Sequence, residues 1–463
     1  MKAMSYEEKY KVMTETAINR LIPRLAIPTI ISMLITSIYN MADTFFVSQL
    51  STSASGAVGV NFSLMAMIQA IGFTLGMGSG NYMSRMLGAR QQDRAQRACS
   101  TSVYTAFACG LLLAVLGITN IESLVRALGA TDTIAPYAKD YGQYILIAAP
   151  YMTVSFVFNN HLRSQGNAAL SMIGITAGGV LNVILDPILI FGFQMGISGA
   201  AIATIFSQFV SFVILLVLVL RSGNVLKPTP RHFTFQGWVY KEILSAGMPT
   251  LGRQGLASAA SVLLNVASSG FGDAAVAAMS IVTRIMMFIQ SALIGFGQGF
   301  QPVCGFNFGA KRYDRVLEAY FFCRRVALVF LLVMGVVMFA ISTPIMGIFR
   351  KEDAQVIRIG ALALKMQCCL LPFQAYSIIG NMLTQSIGYS FRATLTAVSK
   401  QGLFFIPAIL ILPKALGILG LQLAQPVADA LTFVLTQAIV IMVVKELRGM
   451  SEAEQKAAES VSI

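Results

Sequence analysis

Charge is what this sequence has least of: Asp, Glu, Lys and Arg together make up 11% of 463 residues, against 56% hydrophobic. With a mean hydropathy of +0.72, too little polar surface remains to coat a soluble globule, and lipid must be the solvent. Histidine is nearly absent: His161 and His232 read as members of separate polar connections, and no Cys/His cluster accompanies them. A metalloenzyme is therefore not expected. The six cysteines (Cys99, Cys109, Cys304, Cys323, Cys368 and Cys369) lack a CxxC spacing. They read as small buried apolar residues rather than disulfides or metal ligands. No apolar core occurs in residues 1–20, which hold Glu7, Glu8, Lys9, Lys11 and Glu15. A cleavable signal is not expected, and the first apolar segment itself would target the chain.

What is present is a series of apolar stretches of the roughly 20-residue length that a spanning helix needs. Twelve lie near 24–48, 55–79, 98–118, 137–160, 168–192, 197–220, 243–270, 274–300, 323–346, 358–385, 394–414 and 417–444. Helices satisfy every backbone amide inside hydrocarbon, so an all-α integral membrane protein is expected. An even number of spans puts both termini on one side. Lys and Arg concentrate in the termini and the even-numbered connections, which marks that side as cytoplasmic at the cell membrane. The net charge of +13 reflects those loops and not a nucleic-acid surface.

The chain also repeats itself. Gly88-Ala89-Arg90-Gln91-Gln92-Asp93-Arg94 returns about 221 residues later as Gly309-Ala310-Lys311-Arg312-Tyr313-Asp314-Arg315. Pro28-Thr29 returns as Pro249-Thr250, and Gly196-Ile197-Ser198-Gly199 as Gly417-Ile418-Leu419-Gly420. Six spans per repeat make parallel repeats, so two six-helix lobes related by a pseudo-twofold axis along the membrane normal are predicted. The expected units are an N-terminal lobe over 1–220, a cytoplasmic linker over 221–242 and a C-terminal lobe over 243–463. Two such lobes enclose a cleft whose opening changes side when they rock, which is transporter architecture.

An ionisable group at mid-bilayer costs about 2.5–3.5 kcal/mol and is a functional candidate by default. Asp43 lies deep in the first span after Tyr39 and Asn40; Asp186 lies deep in the fifth, with Asn182 one turn before it and Pro187 after it. Asn182 and Asp186 project from one helix face. Such a face can share a proton with a second carboxylate or hold a dehydrated Na⁺; the plainer reading is interhelical hydrogen bonding. The repeat places Leu264 and the Phe405-Ile406 region opposite these acids, which assigns them to the first lobe alone. The second lobe is instead expected to bury Arg253 with Gln254 and Arg284 with Gln290, which either satisfy helix-break carbonyls or line the cleft as substrate-binding candidates. Among 24 methionines, Met65, Met279, Met286 and Met287 are candidates, with Phe62 and Tyr39, for an adaptable apolar cleft wall. Ordinary helix packing is the competing reading for each.

These residues match a known pattern. Tyr39-Asn40-Met41-Ala42-Asp43, Gly76-Met77-Gly78-Ser79-Gly80, Arg163-Ser164-Gln165-Gly166, Leu181-Asn182-Val183-Ile184-Leu185-Asp186-Pro187, Gly196 to Thr204 and Gly295-Phe296-Gly297-Gln298-Gly299-Phe300-Gln301-Pro302 carry it. Over nearly its whole length the chain resembles the multidrug and toxic compound extrusion (MATE) transporters. The resemblance implies a V-shaped exporter of amphipathic, cationic drugs or metabolites, driven by H⁺ or Na⁺ with no other cofactor. It implies an ion-coupling network of Asp43, Tyr141, Asn182, Asp186 and Thr204, with bending of the first helix at Pro28. Another branch of the family carries acids on its seventh and tenth helices. Here Arg253-Gln254-Gly255 and Gln374-Ala375-Tyr376 stand at those places, so that kind of second-lobe cation site is not expected.

Two rival readings are weighed. Gly270-Phe271-Gly272-Asp273 has the GxGD form of intramembrane aspartyl proteases and Tyr313-Asp314 supplies a YD pair, but topology puts the two acids on opposite membrane faces. They cannot share a water, and no enzyme is expected. The stronger rival is a flippase of an anionic lipid-linked precursor, with Arg253 and Arg284 as counter-charges. The exporter reading is preferred, acting as a monomer on small amphipathic substrates in the bilayer.

Overall fold

The computed structural model describes residues 5–50, 52–221, 225–349 and 353–461, and all regular structure among them is helical. In chain order the helices are α1 (Tyr6–Glu15), α2 (Ile18–Ser48), α3 (Thr52–Gly88), α4 (Gln92–Thr119), α5 (Ile121–Ala127), α6 (Ala135–Ser164), α7 (Ala168–Pro187) and α8 (Gly196–Arg221). The second half holds α9 (Gly237–Ser269), α10 (Asp273–Gly309), α11 (Tyr313–Ala340), α12 (Ser342–Phe349), α13 (Ala354–Ile387), α14 (Ser390–Val398), α15 (Ile406–Leu416) and α16 (Ile418–Val461). With α14 and α15 joined through a π-helical stretch, Ser399–Phe405, twelve long helices form two lobes of six.

Ten helices among the described residues are long and apolar enough to cross a bilayer by composition alone. The other two, α6 and α9, are as long but more polar. α6 tolerates this because it packs among α3, α4 and α8, where polar groups meet protein instead of lipid. Most helices also run past the hydrophobic windows: α3 and α10 continue to Gly88 and Gly309, beyond the expected ends at 79 and 300. Hydropathy reports where lipid touches a helix, not where its hydrogen bonds stop. For the same reason His161 is not in a polar connection. It is inside α6, fully buried, with Nε2 2.8 Å from Ser79 Oγ and 3.2 Å from Ser102 Oγ.

The repeat is visible atom by atom. After α3, Ala89, Arg90 and Gln91 donate to the carbonyls of Arg85, Leu87 and Met86; after α10, Ala310, Lys311 and Arg312 donate to Phe306, Phe308 and Asn307. Both turns use a left-handed non-glycine residue, Arg90 at φ 59° and Lys311 at φ 58°. The contact between lobes obeys the same symmetry. A Cβ on Gly88 would lie 1.9 Å from the Phe306 carbonyl oxygen, and one on Gly309 would lie 1.9 Å from that of Arg85. α3 packs on α9, and α2 on α10, as reciprocal cross-lobe pairs. Without a hydrophobic drive inside lipid, backbone proximity at small residues is what holds helices together.

α1 was not legible as a structural element. Ser5 caps it, accepting from the Glu8 amide while Glu8 accepts from the Ser5 amide. It lies across the lobe junction: Tyr6 donates to the Leu87 carbonyl at 2.6 Å, and the Tyr10 ring meets Phe306 edge-on. The end of the bundle bearing α1, the Gly88 and Gly309 turns and the interlobe connection is the linker face. There the lobes are in contact.

Candidate functional site

Four helices of the first lobe converge on Asp43. α7 approaches α2 because Gly179 faces it: a Cβ there would already touch Ile35 at 2.9 Å and the Tyr39 ring at 3.4 Å. On the other side Gly178 lets Ser207 and Ser211 of α8 close in. This brings Asp43 from α2, Tyr141 from α6, Asn182 and Asp186 from α7 and Thr204 from α8 into one cluster. The Asn182 amide donates to Asp186 Oδ1 and to Thr204 Oγ1, both at 3.3 Å. Tyr141 meets Thr204 and lies within electrostatic range of both carboxylates, which also sense each other. Tyr39 stands beside Asp43 and Gln208, a residue the sequence reading did not single out although it sits one turn beyond Thr204.

Tyr141 and Asp186 are fully buried, and Asn182 and Thr204 nearly so. Asp43 is half-buried as a residue, but its Oδ1 is enclosed. The decisive feature is what is missing. Asp43 Oδ1, Asn182 Oδ1 and Asp186 Oδ2 are all buried without a hydrogen-bond partner. No ion pair among the described residues includes either carboxylate. A buried acceptor left unpaired costs about 1–3 kcal/mol, so these oxygens are suited to meeting a proton or a cation. A donor set made only of oxygen suits a hard cation, and two adjacent carboxylates equally suit a shared proton. After Pro187 the helix widens into a π turn, Ile188–Gly192, a distortion frequent at functional sites.

The other expected residues scatter. Asn40 lies beside the cluster, half-buried, its carbonyl taken by Thr44 Oγ1. Met65, Met279 and Met286 are 8%, 2% and 4% exposed and belong to packed cores, which leaves them little surface to offer in this conformation. Phe62 and Met287 are exposed, at 55% and 60%. Arg253 and Gln254 are half-buried on α9. Arg284, expected to be buried, is exposed on α10: its helix face is not covered by a neighbour. Pro28 lies within α2, with its carbonyl bound by Ser32 Oγ at 2.9 Å.

The assignment of membrane acids to the first lobe alone is wrong. Asp429 on α16 is buried in the second lobe and pairs with Lys400 at 3.2 Å, while accepting from Gln374 at 2.8 Å and Gln425 at 3.1 Å. Gln425 is one turn away on the same helix, but Lys400 and Gln374 come from distant parts of the chain that no local spacing announces. Unlike Asp43 and Asp186, this carboxylate already has a cation and its hydrogen bonds.

The MatE family model matches residues 28–188 and 249–410, one copy in each lobe. Among curated proteins, the "Multidrug export protein MepA" of Staphylococcus saprophyticus is 25% identical over 93% of this chain and 94% of its own. The protein of the same description from Staphylococcus aureus is 26% identical over 90% and 92%. Among solved structures, one described as the outward-facing conformation of a multidrug resistance MATE family transporter of the MOP superfamily superposes with a TM-score of 0.90 at 23% identity, covering 97% of this chain and 100% of that one. A MOP superfamily transporter from Pyrococcus furiosus, described as having a binding pocket of reversed polarity, superposes at 0.88 with 24% identity, over 95% and 99%. At that identity the superpositions establish the fold.

Proposed function

The chain belongs to the MatE family, and from that premise we propose that it exports amphipathic, cationic drugs or metabolites in exchange for H⁺ or Na⁺ by alternating access. The observation that carries the proposal is the first-lobe cluster, in which two carboxylates and their oxygen neighbours are enclosed with no cation of the protein's own. The relatives it matches are drug exporters by description. The Lys and Arg content of the loops at the linker face supports a cytoplasmic position for it. The conformation is then closed inward.

In this scheme the lobes 1–220 and 243–463 rock as units in a monomer, tethered by 221–242. Loading H⁺ or Na⁺ from outside neutralises Asp43 and Asp186, relieves the orphaned oxygens and lowers the affinity for a cationic drug. Pro28 lacks the amide that would bond the carbonyl four residues earlier, so α2 can bend there as the charge at its far end changes. The flippase reading has less behind it, since the relatives matched are drug exporters by description and the buried oxygens of Asp43 and Asp186 suit a cation better than an anion.

The test is dye efflux from proteoliposomes under a pH gradient and, separately, a Na⁺ gradient. Asp43→Asn and Asp186→Asn keep the side-chain shape and lose the charge, so each abolishes gradient-driven efflux in a protein that still inserts and folds. Undiminished efflux in either variant removes that residue from coupling.

A further inference from the structure

A second buried polar cluster lies away from the carboxylates, in the lobe junction toward the linker face. Arg163, near the end of α6, is 5% exposed. Its guanidinium donates to Gln298 Oε1 of the second lobe and to Asn160 Oδ1 of its own helix. Neither acceptor carries charge, and no ion pair among the described residues includes Arg163. Arg85, a partly buried arginine on α3, has Glu242 at 3.6 Å. Arg163 has nothing equivalent. A lone cation in a protein interior carries a desolvation cost of several kcal/mol that neutral amides offset only in part.

Against this guanidinium is a cavity of about 20 Å³, lined by Asn81, Ser84, Asn160, Ser164, Gln298 and Gln301 among others. That is room for one water-sized occupant. Asn81 is 6% exposed, and its amide nitrogen finds no acceptor. An uncompensated guanidinium and an unused N–H donor on the walls of one small cavity call for the same thing: an acceptor bearing negative charge.

We propose that this cavity binds a single small inorganic anion, chloride in a cell, held between Arg163 and Asn81. Because its walls come from both lobes, the anion stabilises the state in which they meet at the linker face. A ligand shifts a two-state equilibrium only through such differential binding. The site is independent of whether Asp43 and Asp186 take up H⁺ or Na⁺.

The experiment is thermal unfolding of the full-length protein in detergent, titrated with sodium chloride against sodium gluconate at constant ionic strength. Chloride and bromide raise Tm by a few degrees with saturation, and gluconate, too large for the cavity, does not. Asn81→Asp places a fixed negative charge where the anion would be: its Tm without chloride matches that of the loaded wild type, and chloride adds nothing. Because Arg163→Gln also removes the lobe-bridging bond to Gln298, the binding measurements use Asn81→Leu, which fills the cavity and removes the chloride response. Equal wild-type Tm in chloride and gluconate overturns the proposal, as a water in the cavity would give. So does an Asn81→Asp variant that keeps the wild-type chloride response.

Discussion

Gly88→Ala tests how the lobes meet. The added Cβ would be 1.9 Å from the Phe306 carbonyl oxygen, 2.8 Å from its carbon and 3.0 Å from the Ala310 amide. Ordinary contact begins at 3.4 Å, so the surfaces must part by roughly 1.5 Å. No side chain can rotate away, because every obstacle is backbone within the hydrogen-bonded turn that ends α10. Overpacking of this kind costs about 1–3 kcal/mol. Charged only to the state closed at the linker face, that is a 5- to 150-fold shift toward the opposite state. Spin labels at exposed Gln92 and Arg448, one per lobe, read the change as a longer interlobe distance by pulsed electron resonance. Gly309→Ala makes the mirror-image clash and gives the same shift. Gly59→Ala, with nothing within 4 Å of its Cβ, leaves the distribution alone. An unchanged distance distribution in Gly88→Ala, at normal folding yield, refutes the idea that this contact defines the closed state.

Three further outcomes follow from single sites. Arg97 is bound to exposed Asp93 at 3.0 Å and to Gln236 at 3.4 Å, so Arg97→Gln leaves dye efflux nearly intact; complete loss would show that essential charge has been misplaced. Burial pulls the Lys9 ammonium on α1 down from its ordinary 10.5 to about 8, so docked α1 holds fewer protons than released α1 between those values, and docking strengthens as pH rises through that window. Hydrogen exchange over Tyr6–Glu15, corrected for intrinsic rate, slows from pH 7.5 to 9.5 in the wild type and loses this dependence in Lys9→Met. Asp429→Ala strands Lys400 and costs about 3–5 kcal/mol, while Asp429→Leu with Lys400→Met costs far less; equal losses in thermal stability would mean the pair is not energetically coupled.

How much of this was legible depended on whether the signal was local. The Gly88 and Gly309 turns announced the repeat because each is one short segment, and the structure reproduces both down to the left-handed Arg90 and Lys311. Asn182 and Asp186 were readable as a pair because one turn of a single helix separates them. Asp429 has the same local signal, Gln425 one turn before it on α16, and was missed in spite of it; its distant partners Lys400 and Gln374 could not be read from spacing, and an apolar run around an acid looks the same whether or not a cation waits across the interface. Arg163 was quoted only as part of a motif, since nothing in Arg-Ser-Gln-Gly tells that it crosses to the other lobe. α1 has too few apolar residues to register as a span, and only its docking onto Leu87 and Phe306 gives it a role. Arg284 erred in the other direction: membership in an apolar span does not put a side chain inside the bundle.

The two lobes share a backbone and differ in chemistry, and that difference sets the last expectation. In the second lobe Asp429 is paired with Lys400 and held by two glutamines, so its charge is balanced inside the protein and has little to exchange with the medium. In the first lobe Asp43 and Asp186 have no ion-pair partner among the described residues and each keeps one oxygen without a hydrogen bond, which on the proposed function is where the coupling ion acts. If export is antiport, the coupling ion and the drug must weaken each other's binding, because linkage is reciprocal. A cationic dye in detergent therefore binds less tightly as pH falls or Na⁺ rises, and Asp43→Asn flattens that dependence. Asp429→Asn, which changes a carboxylate already neutralised by Lys400, leaves the slope in place even where it lowers stability. Dye affinity that ignores both ions in the wild type would remove antiport, and a slope lost in Asp429→Asn but kept in Asp43→Asn would move the coupling site to the second lobe.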